Sequence, residues 1–216
     1  ESLAPETIER DRSRTRKSCA SCTIGCEHIF HFKTAPAAGD GAENAVADGV
    51  RMEYENLFAL GPLCGISDLD TVLAASMSCD ELGLDTISTG ATVAFAMECV
   101  ERGLVDIPGL RFGNGQALLA MIEDIGRRQG WGELLAGGTR AAAEAIGGGS
   151  GTFAPHVKGL EIPGYEPRAL QAMALGFAVG TRGADHNRSG AYEIDFSPEV
   201  DRFDVGSEAI GPVVRV

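Results

Sequence analysis

Three thiols within eight residues, Cys19-Ala20-Ser21-Cys22-Thr23-Ile24-Gly25-Cys26, constrain this chain more than any other stretch. Gaps of two and then three residues let the sulfurs of one tight turn point at a common centre. A thiolate is a soft ligand, so such a turn suits an iron–sulfur cluster or zinc. Either centre usually wants a fourth ligand, which the turn itself does not carry. Three unrelated loop cysteines are the plain alternative, but two short gaps in series are uncommon by chance, and a lone CxxC is a much weaker signal.

The remaining 190 residues after Cys26 have to build a core around that turn. With 216 residues and 44% hydrophobic content, the chain can form one large domain or two small ones. Its 29 glycines and 6% aromatic content predict close backbone packing and many turns. A net charge of −13 argues against general nucleic-acid binding through a basic surface. Apolar runs such as Ala94-Phe95-Ala96-Met97 fall far short of the ~20 residues of a membrane span, so no membrane partner is expected. Six cysteines, three of them in metal-type spacing, point to a reducing, cytoplasmic setting rather than a disulfide framework. The chain opens on Glu1 and stops at Val216 without a clear structural end, and is expected to be a piece of something longer.

Along the chain, helical patterns dominate. Glu1 to Lys17, with Arg10, Arg12, Arg14, Arg16 and Lys17, reads as a solvated helix or linker. The same cations could stabilise a negatively charged cluster or meet an acidic redox partner. Glu27 to Phe32 reads as a short extended piece, and His28 or His31 could complete a zinc site. Met52 to Gly61 predicts a short helix, Ser67-Asp68 caps a second that Gly83 ends, and Thr86 to Arg102 is a third with Val93, Ala96, Met97 and Val100 on one face. Asn114 to Gln129, Trp131 to Ala136, Thr139 to Ile146 and Arg168 to Gly180 follow. Gly147 to Gly151 resembles a linker, which places a domain boundary near Phe153: residues 1–153 as a helical domain with the cysteine motif, 154–216 as the start of a second. The expected class is mainly α.

Two clusters invite a ligand. Asp80 and Glu81 lie at a helix end, where the macrodipole already places negative charge, so local stability does not account for them. Asp85 caps the next helix, which does not exclude a second role. Arg182, Asp185, His186 and Arg188 gather just past a buried-looking helix, on a loop of the kind that carries chemistry.

Taken in order, these patterns resemble the tungsten-containing aldehyde:ferredoxin oxidoreductase family in its second and third, helical domains. The resemblance runs from about Lys17 to Arg188. It rests on Cys19-x-x-Cys22-x-x-x-Cys26, Tyr54-Glu55 with Leu60-Gly61, Asp80 through Gly90, Ala94 through Glu98, Lys158 through Pro163 with Glu166-Pro167-Arg168, and Arg182 through His186. The resemblance implies a helical fragment of a multidomain redox enzyme, with helices packed around a cofactor cleft. It implies that Cys19, Cys22 and Cys26 hold three corners of a [4Fe–4S] cluster. Asp80, Leu84 and Asp85 match a motif that holds a pterin of a tungsten (or molybdenum) bis-pterin cofactor. Arg182 and Arg188 match positions that touch the cofactor, although the second is more often lysine. Glu55 and His186 match residues that face the metal and move protons. Implied partners are ferredoxin and a small aldehyde, and a homo-oligomer is compatible with the reading.

The chain also departs from the family. The fourth cluster cysteine, expected in a second Asp-x-x-Gly-Leu-Cys-type motif, has no counterpart here, and neither do the β-rich N-terminal domain or the metal-bridging Glu-x-x-His. Cys64, Cys79 and Cys99 read as buried thiols. The rival reading is a zinc-binding Cys3His helical module, closed, tetrahedral and without redox activity.

Overall fold

A computed structural model describes residues 2–18, 20–21, 23, 27–33 and 49–198; Cys19, Cys22 and Cys26 lie outside the described residues. Helices dominate, as expected, and the described strands form two small sheets.

The N-terminal stretch differs from the expected helix or linker. Helix α1 (Pro5–Asp11) is followed by strand β1 (Arg14–Lys17), which pairs antiparallel with β2 (Glu27–Phe30). Strand β3 (Val50–Met52) completes the sheet in the order β1-β2-β3. All four β1 residues are exposed, so no apolar alternation marked this strand; backbone pairing holds it. Arg12 pins the sheet to the helices: its guanidinium donates to Asp70 Oδ1 at 2.6 Å and to the His31 carbonyl at 3.3 Å.

Met52 ends β3 instead of opening a helix, because Val50 and Met52 are both buried on one side of the strand. Helix α2 (Tyr54–Leu60) starts one residue later. Asn56 accepts the Glu53 N–H at 2.7 Å, and its own amide donates to the Arg51 carbonyl and to Ser76 Oγ. The first turn of α2 is thereby tied to helix α3 (Leu69–Leu82).

Helix α3 starts on Asp68, which accepts the Thr71 N–H at 2.9 Å. It ends in a Schellman motif, with Leu84 N–H bonded to the Cys79 carbonyl and Gly83 N–H to that of Asp80. Asp85 then caps α4 (Thr86–Glu101), accepting the Ser88 N–H at 2.7 Å. The sequence suggested one apolar face for α4; instead Thr89 through Met97 are all buried, as befits a central helix. Gly90 lies against Ala59 of α2 so closely that a Cβ would strike the Ala59 carbonyl.

Helices α5 (Gly115–Arg127), α6 (Trp131–Leu135) and α7 (Gly138–Ile146) complete the larger core. The glycine run that follows is a docked turn rather than an open connection. Ser150 is buried and donates to the Ala143 carbonyl, and Phe153 packs on Phe95 under the Arg102 guanidinium.

A two-residue hairpin, β4 (His156–Val157) and β5 (Leu160–Glu161), leads into helices α8 (Gln171–Val179), α9 (His186–Ser189) and α10 (Tyr192–Asp195). Lys158 at its tip donates to the Ala178 and Gly180 carbonyls at the end of α8. A second, smaller core forms around Leu170, Met173, Phe177 and Ala191. Among the described residues no single helix is long and apolar enough to cross a membrane.

Candidate active site

Glu55 lies in the first turn of α2, where a carboxylate suits the helix dipole. Its side chain is 13% exposed. Oε2 accepts the Gly164 N–H at 2.8 Å, while Oε1 is buried without a hydrogen-bond partner. His186 Nε2 lies 3.7 Å from that Oε1, outside hydrogen-bonding distance but close enough to close the gap with a small shift. Burial pushes the Glu55 carboxyl above the usual carboxylate range, against the opposing pull of the Gly164 N–H and of His186.

The α3–α4 corner supplies the two aspartates. Asp80 sits in the last turn of α3, and Asp85 is the cap of α4. Leu84, between them, is half-buried against the larger core. It closes the Schellman turn that sets the separation of the two carboxylates, and does not line the cavity described next.

His186 opens α9, whose cap, Asp185, accepts the Asn187 and Arg188 N–H groups at 3.2 Å. Arg182 donates to Asp185 Oδ2 at 3.0 Å, and Arg188 Nε lies 3.9 Å from the same oxygen. Burial acts to raise the Asp185 carboxyl, but Arg182 and the two N–H groups outweigh it and hold the group below its ordinary range. The arginine side chains are 64% and 63% exposed, which leaves their donors open to an anion.

Glu55, Asp80, Asp85 and His186 line one cavity of about 200 Å³, together with Arg51, Asn56 and Asn187. An adjoining cavity of about 200 Å³ shares Asp85, Ile87, His186 and Asn187 with it and adds Arg182 and Asp185. Arg188 stands apart, lining a smaller hollow of about 130 Å³ on the other side of Arg182 and Asp185. Five of the predicted residues thus converge, while Leu84 supports the corner and Arg188 sits next door.

The donor set fits a large, polar, anionic cofactor. Carboxylates accept paired N–H groups of a pterin, exposed arginines suit its phosphates, and an orphaned buried carboxylate oxygen faces His186. Among the described residues no group of three or more His, Cys, Asp or Glu could hold a metal ion. His28 lines an apolar hollow with Phe30 and Met52, while the cysteines that a zinc site would need lie outside the described residues. Cys64, Cys79 and Cys99 are buried, and burial pushes the first two up to about 12, as inert thiols require.

Three contributors escaped sequence reasoning. Gly164 and Tyr165 belong to a stretch that reads only as a turn. Tyr54, whose hydroxyl donates to the Gly164 carbonyl at 2.7 Å, was noticed only as the neighbour of Glu55. A Pro-Gly-Tyr run gives no signal of what it will touch.

The family described as aldehyde ferredoxin oxidoreductase, domains 2 & 3, matches residues 1–214. A tungsten-containing aldehyde ferredoxin oxidoreductase of Pyrococcus furiosus is 40% identical over 190 residues, covering 85% of this chain and 29% of that protein. An aliphatic sulfonate oxidoreductase, WOR-like subunit, of the same organism is 29% identical over 180 residues, covering 79% and 28%. Among solved structures, the active site complex BamBC of benzoyl coenzyme A reductase with 1,5 dienoyl-CoA superposes with a TM-score of 0.63 at 25% identity, covering 82% of this chain and 26% of that one. The chain therefore spans less than a third of the length of the curated relatives it matches. On the family match and the 40% identity together, the chain belongs to the aldehyde ferredoxin oxidoreductase family, in its second and third domains.

Proposed function

We propose that this chain forms the helical side of the active site of an oxidoreductase that converts aldehydes to carboxylic acids. The observation that carries the reading is the buried, unpartnered Glu55 Oε1, 3.7 Å from His186 Nε2, in a cavity shared with Asp80 and Asp85. Conversion of an aldehyde to its acid adds water and releases two protons and two electrons. Bound tungsten (or molybdenum) bis-pterin supplies the two-electron chemistry, and a [4Fe–4S] cluster relays electrons singly to ferredoxin.

Everything else falls to the side chains. Asp80 and Asp85 accept pterin N–H groups; the cap bond of Asp85 to Ser88 engages one oxygen and leaves the other. Arg182 pairs with anionic groups of the cofactor from the adjoining cavity, and Arg188 from its far side. Glu55, with a carboxyl raised by burial, and His186, whose Nε2 lies 3.7 Å from Glu55 Oε1, exchange the protons released at the substrate carbon. Cys19, Cys22 and Cys26 hold the cluster. Pairing of Lys17 with Glu27 brings the ends of their segment together, about 5 Å apart, as a compact ligand loop requires.

The test uses full-length protein purified without oxygen. Asp80→Asn combined with Asp85→Asn is expected to lower tungsten and pterin content, and unchanged content sinks the assignment. His186→Ala is expected to keep the cofactor and slow aldehyde oxidation by about 10²-fold or more; parental turnover removes the proton-transfer role.

A further inference from the structure

We propose that the turn Pro163-Gly164-Tyr165 is the positioning element of the Glu55–His186 pair, holding the carboxylate with its backbone and the imidazole with its ring. This inference rests on the proton-transfer reading above and names what sets its geometry.

The turn reaches both partners within two consecutive residues. Gly164 N–H donates to Glu55 Oε2 at 2.8 Å, so Oε1 is the oxygen presented to His186. The Gly164 carbonyl in turn accepts the Tyr54 hydroxyl at 2.7 Å. Tyr54 and Glu55, adjacent on α2, therefore engage both backbone polar groups of one residue, Gly164. A Cβ at Gly164 would come within 2.8 Å of the Tyr54 ring and 3.1 Å of that of Phe58, so an added methyl would displace the Tyr54 ring and disturb this grip.

Next in the chain, Tyr165 stacks on His186 with ring centroids 5.1 Å apart and planes 26° from parallel. Tyr165 also stacks on Tyr192, at 5.1 Å and 22°. Tyr54 closes the side at 5.8 Å. An imidazole set against a ring that is itself wedged between others loses freedom about its own side-chain bonds. Its Nε2 is then held where a modest movement meets Oε1. Catalysis by a proton-transferring pair depends on such placement, since about 1 Å of error can cost about 10²-fold.

The ring, not the hydroxyl, is assigned the work, which the holoenzyme can test. Tyr165→Phe is expected to stay within about twofold of the parent in kcat, and Tyr165→Leu to lose about tenfold in kcat with KM and tungsten content held. If Tyr165→Leu does not accumulate folded, Tyr165→Met fills the space without a ring and is read the same way. Gly164→Ala is expected to lower kcat while the cofactor stays bound. Parental kcat in the ringless variant overturns the inference, and so does a Tyr165→Phe variant as impaired as Tyr165→Leu. The two readings fail separately. Parental turnover in Glu55→Gln and His186→Ala removes the proton pair itself; impairment there with an unaffected Tyr165→Leu removes only the role of the turn.

Discussion

The two walls of the cavity are made by different means. Asp80 and Asp85 stand on a single corner, where a Schellman end and a side-chain cap succeed one another within a few residues. Glu55 and His186 owe their places to contacts across the fold: Gly164, which holds Glu55, lies 109 positions away from it. One wall is a product of local backbone rules. The other exists only once the Pro163-Gly164-Tyr165 turn and α9 have met α2.

The contrast can be pressed at three points, in falling order of effect. Asn56→Ala strips the long-range wall of its foundation, since Asn56 joins the Glu53 N–H, the Arg51 carbonyl and Ser76 Oγ in a buried site. Groups left unpaired there should cost about 1–3 kcal/mol, read as a lower denaturation midpoint. A neutral result would show that α2 is held from elsewhere.

At the local wall, Asp85→Ala removes the α4 cap and should cost about 0.5–2 kcal/mol, whereas Asp85→Asn caps nearly as well and should leave stability close to the parent. Cofactor content should fall in both. Loss of stability in Asp85→Asn would mean that charge, not capping, matters at that corner.

The smallest effect concerns pH. The Glu55 carboxyl is raised by burial, so its folded form favours the proton. Its stabilising contribution is present below the ordinary carboxylate range and is lost as pH rises through the raised value. Glu55→Gln, which stays neutral, should therefore melt above the parent at neutral pH, with the gap closing in acid. A gap that widens in acid would contradict the sign.

The same contrast decides what could be read in advance. The α3–α4 corner was legible because Gly83 and Asp85 carry local signals at fixed offsets. The membership of Glu55 and His186 came through the resemblance, and their 3.7 Å separation came from neither pattern nor spacing. Strand β1 stayed hidden because its stabilisation is backbone pairing with β2, and four exposed residues leave no apolar rhythm. The all-round burial of α4 was masked by its small residues, which look one-sided by hydrophobicity yet pack on every side.

Helix α8 begins after Leu170 with no cap of its own; Asp195, nearly buried, bonds the Ala172 and Met173 N–H groups from 22 to 23 positions downstream. A ribosome delivers that carboxylate after all the side chains that line the cavity. Until it emerges, the start of α8 stays frayed, and α9, which leans on α8, has nothing firm to settle against. The start of the helix that supports the histidine side thus depends on a residue downstream of every side chain that lines the cavity.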